Sequence, residues 1–212
     1  MVIAIDGPAG AGKSTVARLL AERLGFTYLD SGAMYRCVAH TCLEWGADPE
    51  SSGEATSTAE SIEIGFEDGA VLLDGVDVSA EIRTPEVTEV ASLVSIHPGV
   101  RQAMVAEQRR LIAAGRYVAE GRDIGTVVSP DSPLKIFLTA SPRVRAERRA
   151  DQTGGDPAEI LAAQEERDRR DTEREHGALA AAEDAVTIDT SEMATEEVVE
   201  RIVGLARERG LA

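Results

Sequence analysis

The chain contains no asparagine, only two lysines and two cysteines among 212 residues, and no long apolar run. Each scarcity excludes something. Without asparagine there is no Asn-Lys-x-Asp element, the base-reading signature of a guanine-specific nucleotide switch. Cys37 and Cys42 fall in one predicted helix but on different faces, so they suit neither a disulfide nor a zinc site. They read as core thiols in a reducing compartment. No basic leader precedes the first apolar stretch and no segment approaches membrane-spanning length, so a cytoplasmic protein with no membrane partner is expected. The formal net charge of −16 argues against a nucleic-acid partner reached by bulk electrostatics, and it reads as serving solubility. A chain of 212 residues can bury a good core, as one domain with an insertion or as two small ones.

With lysine so scarce, its placement is informative. Lys13 lies in Gly7-Pro8-Ala9-Gly10-Ala11-Gly12-Lys13-Ser14, which fits the phosphate-loop pattern G-x-x-x-x-G-K-[ST] at every fixed position. Glycines let the backbone double back and aim successive N–H groups into an anion-binding nest. The lysine supplies a mobile positive charge for the β- and γ-phosphates, and Ser14 offers a hydroxyl to Mg²⁺. Val2-Ile3-Ala4-Ile5 before the loop has the β-branched, apolar character of a buried parallel strand. Val16, Leu19, Leu20 and Leu24 after it recur at helical spacing, predicting an amphipathic helix over 13–24 whose N-terminus points at the loop. A nucleoside triphosphate is therefore expected on Gly7 to Ser14 and the adjoining Thr15; that it is ATP is what the family resemblance described below implies. No apolar strand ends in an obvious Walker B aspartate, which disfavours a motor ATPase and leaves Mg²⁺ to Ser14, the phosphates and water.

Further along, a second strand is predicted over 26–30, with Ser31-Gly32 turning into a helix that runs to about Trp45. Ligands of open α/β sheets bind beyond the carboxyl ends of strands, which places Asp30, Ser31 and Arg36 near the first site. From Asp48 to Glu89 twelve acidic residues accompany one basic residue, Arg83. Period-two alternation from Ile62 and two turns, Asp68-Gly69 and Asp74-Gly75, predict a three-stranded antiparallel meander inserted into the α/β pattern. Helices are expected over 85–94, over 98–114 and from Pro142 to a break at Gly154-Gly155. Another starts at Asp156-Pro157, where an N-cap meets a first-turn proline. Strands are expected at 117–119, 134–139 and 186–188, and an amphipathic helix closes the chain.

The segment from Glu165 to Glu175 has no apolar residue, so a helix there is either solvated or conditionally stable. Arg167, Arg170, Asp171 and Arg174 share one face of it, with glycines at both flanks to act as hinges. A solvated face carrying pairs such as Glu166–Arg170 is the plainer reading. A lid is the sharper one, because phosphoryl transfer spreads charge over oxygens that guanidinium forks neutralise bidentately. Arg122-Asp123 ends a strand, where a ligand could lie; Asp123 could equally be a buried turn residue.

The stretches IDGPAGAGKST, YLDSGAMYR, EIRTPEV with ASLVS, HPGVR, EGRDIGTVV, LKIFLTAS and RDRRDTERE together resemble the bacterial cytidylate kinase family over essentially the whole chain. The resemblance implies an α/β, P-loop nucleoside-monophosphate kinase fold: a five-stranded parallel sheet flanked by helices, a small antiparallel β insertion and a helical arginine lid. It implies a kinase core at 1–50 and 96–212, with the lid at about 143–177, and a monophosphate-binding insertion at 51–95. Carried over by position, it puts nucleotide-phosphate contacts on Ser31, Arg36, Arg122, Arg167 and Arg174. Cytosine contacts fall on Ser92, Arg101 and Asp123, and the sugar contact on Asp171. Lys13 joins Arg122, Arg167 and Arg174 as the catalytic cations. The implied reaction moves the γ-phosphoryl of ATP, with Mg²⁺, to CMP or dCMP in pyrimidine nucleotide metabolism, by a monomer. Ser129 before Pro130 and His176-Gly177 after the lid depart from the family pattern. Another small-molecule P-loop kinase, acting for instance on adenylate or shikimate, and a non-catalytic nucleotide switch remain the alternatives at this point.

Overall fold

The computed structural model describes residues 1–67, 69–113 and 115–212, and the backbone alone at 152 and 153. Asp68 of the first predicted Asp-Gly turn and Ala114 at the expected helix end lie outside the described residues. In chain order the elements are β1 (Val2–Asp6), α1 (Lys13–Leu24), β2 (Thr27–Asp30), α2 (Ser31–Trp45), α3 (Ser52–Ser61), β3 (Ile64–Glu67), β4 (Ala70–Leu73) and β5 (Val76–Asp77). After them come α4 (Pro85–Val94), α5 (Pro98–Ile112), β6 (Tyr117–Gly121), β7 (Leu134–Thr139), α6 (Pro142–Thr153), α7 (Pro157–Glu173), β8 (Val186–Asp189) and α8 (Thr195–Glu208). They form two compact units, Met1–Leu29 with Ile112–Ala212, and Asp30–Leu111.

The larger unit is built on a five-stranded sheet in the order β2-β6-β1-β7-β8. β1 pairs in parallel with β6 and β7, and β7 with β8. A central parallel strand is covered on both faces, which is why β1 is buried along its whole length. Helices α1 and α8 contribute Val16, Leu20, Val198, Val199, Ile202 and Val203 to the same core as Ile3, Ile5, Leu134, Ile136, Leu138 and Ile188. Strand β6 runs two residues beyond the predicted Ala119, to Gly121, and carries Glu120 into the interior. A π-helical turn over Ile124–Val128 follows it, an element with no sequence periodicity to announce it. The Asp6 carboxylate holds its start, accepting from the N–H groups of Ile124 (2.8 Å) and Gly125 (2.7 Å).

The smaller unit contains the predicted meander, β3-β4-β5, antiparallel throughout. Asp74 and Gly75 both have positive φ, 50° and 82°, the two-residue turn geometry that Asp-Gly favours. Its core joins Met34, Cys37, Val38 and Cys42 of α2 to Ile64, Val71, Ile82, Val87 and Val94. Both thiols are free and buried. Burial pushes Cys37 up to about 12, so its thiolate is absent at neutral pH.

Two local expectations are corrected. Ser31 and Gly32 are not a turn but the first residues of α2, because the Asp30 carboxylate caps the helix by accepting from the Ala33 N–H at 2.9 Å. Helix α3 lies where no helix was expected. Ser51 caps it, and Ala55, Thr58 and Ala59 are its buried stripe. Such small residues give too weak an apolar signal for periodicity to register.

Candidate active site

The phosphate loop leaves β1 at Gly7 and enters α1 at Lys13. Gly7, Gly10 and Gly12 have φ values of 148°, 78° and 88°, a succession that only glycine adopts without strain. α1 has no side-chain cap and no acidic residue in its first turn, which leaves its opening N–H groups to an incoming anion. Lys13 is buried and its Nζ donates to the Pro8 carbonyl across the loop at 2.8 Å. Ser14 and Thr15 are exposed beside it.

Lys13 sits in a crowded field. Burial, then the positive charges of Arg122 and Arg167, bring it down to about 7 against the opposing pull of Glu120 and Asp6. Glu120 is buried and accepts a hydrogen bond from the Tyr28 hydroxyl. Burial raises Asp6 to about 6 despite its two backbone N–H donors. This has a measurable consequence. A lysine mostly neutral at pH 8 becomes an ammonium ion when a polyanion arrives, so MgATP binding at that pH takes up most of a proton. Calorimetry in buffers of different ionisation enthalpy reads that uptake. A Lys13→Arg variant, charged in both states, shows none. Binding to the unmodified protein at pH 8 without proton uptake contradicts a neutral Lys13.

Helix α7 brings the predicted arginines to this field. Arg122 Nε donates to Asp171 Oδ2 at 2.8 Å, and Arg174 Nη1 to Asp171 Oδ1 at 3.3 Å. Burial works to raise Asp171, but Arg122, Arg174 and Arg167 outweigh it and hold the carboxyl below its ordinary range. Burial works to lower Arg122; Asp171 reverses it and keeps the guanidinium charged. Arg174 is the C-cap of α7, and its Nε donates to the Gly177 carbonyl at 2.6 Å. Arg170 differs from the other stripe residues, pairing with Glu166 at 3.4 Å as the plainer reading had it. The all-polar stretch is thus helical with two distinct faces. Arg169, Glu166 and Glu173 form exposed ion pairs that solvent screens, while Gln164 and Asp171 are buried.

Asp123 is buried at the start of the π-helical turn. Its backbone carbonyl accepts from Val127 (2.8 Å) and Val128 (3.1 Å), and its carboxyl does not cap the turn. In the smaller unit, Ser31 is buried at the start of α2, and Arg36 Nη2 donates to Asp30 Oδ2 at 2.7 Å. Arg101 is buried on α5, with its guanidinium 5.5 Å from the centre of the Tyr35 ring. Ser92 is buried on α4, and its hydroxyl finds no hydrogen-bond partner among the described residues. A buried hydroxyl in this state, which Thr126 and Ser132 share, fits a group that meets a ligand.

Sequence reasoning missed Asp6, Glu120 and Tyr28 around Lys13, and Arg145 with Asp168 beside the loop. A carboxylate at the end of each of two neighbouring strands was the available signal for the first pair. Among the described residues no group of three His, Cys, Asp or Glu side chains could cage a metal. A lone serine hydroxyl at a phosphate loop suits Mg²⁺, which keeps most of its ligands as water and phosphate oxygen. Among the described residues, no helix is long and apolar enough to cross a membrane.

Comparison with known proteins agrees with this architecture. A bifunctional pantoate ligase/cytidylate kinase of Prochlorococcus marinus (strain MIT 9303) is 48% identical over 97% of this chain, which spans 44% of that protein. The cytidylate kinase of Pelotomaculum thermopropionicum is 49% identical over 95% of this chain and 93% of its own length. The crystal structure of shikimate kinase from Bacteroides thetaiotaomicron shares the fold, with a TM-score of 0.51 and 12% identity over 98% of each chain. The family profile described as cytidylate kinase matches residues 3–208. Matched by profile and by relatives along nearly all its length, the chain belongs to the cytidylate kinase family.

Proposed function

We propose that the protein transfers the γ-phosphoryl group of ATP to CMP or dCMP, giving ADP and CDP or dCDP, as a cytoplasmic monomer of pyrimidine nucleotide metabolism. The observation that carries this reading is the charge field at the phosphate loop, where buried Lys13 feels Arg122 and Arg167 while Asp171 gathers Arg122 and Arg174. Four cations at one place suit two polyanions brought together.

Gly7 to Thr15 hold the triphosphate, and Ser14 with the phosphates would hold Mg²⁺, which when bound would supply charge neutralisation. The acceptor oxygen of a monophosphate is already ionised, so no general base is needed. The work of the chain is orientation and charge neutralisation by Lys13, Arg122, Arg167 and Arg174. Residues 143–177 serve as the lid over a core of 1–50 and 96–212, and 51–95 as the monophosphate-binding insertion. Ser31 and Arg36 grip the acceptor phosphate, and Asp171 meets the sugar. Arg101 and Ser92 face the base, with the orphaned Ser92 hydroxyl as the supporting feature.

Asp123 reads the cytosine N4 amine, a donor for which a carboxylate is the natural acceptor. Uracil offers a carbonyl there and leaves the carboxylate without a hydrogen. Assayed with MgATP against CMP, dCMP, UMP and AMP, the protein converts the two cytidine nucleotides best. Asp123→Ala erases about one to two orders of magnitude of the CMP preference over UMP. Failure to convert CMP overturns the function, and unchanged discrimination in the variant overturns the role of Asp123.

A further inference from the structure

Arg145 is buried near the start of α6, and its side chain bonds outside that helix. Its Nη1 donates both to the Ala9 carbonyl in the phosphate loop (2.9 Å) and to Asp168 Oδ2 on α7 (2.5 Å). The Arg145 backbone carbonyl accepts from Gln164 Nε2, also on α7, at 3.3 Å. A side chain on Gly10 would come within 2.9 Å of Arg145 Cβ and 3.0 Å of Gln164 Nε2, so loop and helix close on this residue without space between them. One guanidinium nitrogen thus joins the tip of the phosphate loop to the middle of the arginine helix. Asp168 is the sequence neighbour of Arg167, and Asp171, the partner of Arg122 and Arg174, lies less than a turn further on.

We infer that Arg145, with Asp168 as its counter-charge, is a positioning residue that registers the arginine helix on the phosphate loop. This deepens the proposed phosphoryl transfer and rests on it. Arg145 itself reaches no reacting atom in this role. It fixes where Arg167 and Arg174 stand relative to a phosphate held by Gly7 to Ser14, and misplacement of such groups by about 1 Å can reduce turnover a hundredfold. Lysine does not replace it, because its ammonium ends a bond short of the Nη1 position that meets carbonyl and carboxylate together. The loop carbonyl receives its donor from the residue that holds the helix, so the two parts take up their geometry as one.

The test is a double-mutant cycle on the full chain with Arg145→Lys and Asp168→Asn, both of which keep approximate size. Each single variant lowers kcat for CMP phosphorylation by about tenfold or more, while the Kd for MgATP stays within about twofold, a split that general loss of packing does not give. The double variant is no slower than the worse single one, because either change breaks the same link. Amide hydrogen exchange over 160–173, measured in parallel, quickens in Arg145→Lys and Asp168→Asn alike. Additive losses in kcat, or kcat within twofold of the unmodified protein in Asp168→Asn, overturn the inference. So does unchanged exchange in both variants. If the unmodified protein leaves CMP unconverted, the proposed function fails, and the exchange measurement still decides whether Arg145 ties the helix to the loop.

Discussion

Lys13→Ala lowers kcat for CMP phosphorylation by about a thousandfold or more while the protein remains folded. The activity loss follows from what an ammonium ion supplies at a phosphate loop: charge that meets the β- and γ-oxygens as negative charge redistributes along the breaking bond. The small effect on stability follows from the surroundings. Lys13 is buried near two guanidinium groups, and its ammonium donates to the Pro8 carbonyl. Its folded pKa, about 7, lies below the ordinary 10.5. The native state therefore binds this proton less well than the unfolded chain does, and stability from this group increases as pH rises from about 7 towards 10.5. At neutral pH the buried ammonium is a burden on the fold, so its removal leaves the melting temperature unchanged or slightly raised. Circular dichroism melts beside steady-state kinetics check both halves. Turnover within tenfold of the unmodified protein removes Lys13 from the phosphate site, and a collapsed melting temperature refutes the electrostatic account.

Gly7→Ala has the largest effect on folding. A Cβ at Gly7 would stand 2.0 Å from the Leu138 carbonyl oxygen and 3.0 Å from its carbonyl carbon. Both are backbone atoms of β7, beside the rung that pairs Asp6 with Phe137, so no side chain can rotate away. Relief requires β1 and β7 to part where the loop begins. The φ of 148° adds strain that an L-residue tolerates poorly. The variant loses about 3 kcal/mol or more in urea unfolding, or fails to fold. Gly12→Ala is the informative contrast, since a Cβ there meets nothing within 4 Å. It bears only the left-handed backbone penalty, about 1–2 kcal/mol, and folds. Equal losses at the two positions show that backbone strain, rather than collision with β7, sets the requirement for glycine at Gly7.

The parts of the molecule legible in the sequence are those where one residue type has one physical use. The phosphate loop is legible because glycines, a lysine and a hydroxyl at fixed spacing have few other reasons to occur together. α7 was legible at its start, where Asp156 and Pro157 cap it, and ambiguous where its residues turn polar. The ambiguity was real, because an ion-paired interior face and a solvated face have the same composition. Only the structure separates buried Asp171 from exposed Glu173. Helix α3 was hidden because serine, threonine and alanine pack without displaying hydrophobicity. Asp6, Glu120 and Arg145 were hidden for another reason. Their importance lies in partners far along the chain, Ile124 and Gly125, Tyr28, and Asp168, and separation in sequence leaves no periodic trace. The family resemblance singled out Ser92 by position alone; that its hydroxyl lacks a partner among the described residues is visible only in the structure.

The pair of bonds from Asp6 to Ile124 and Gly125 has a mechanical consequence. Asp6 is the last residue before the glycine turn, and Ile124 the first after Asp123. The glycine turn and Asp123, which the proposed function assigns to the two nucleotides, therefore share a rivet, and neither can drift without dragging its fellow. On the proposed reading, selectivity and group transfer are geared together at that point, and a substitution that displaces Asp123 throws the donor phosphates out of alignment as well.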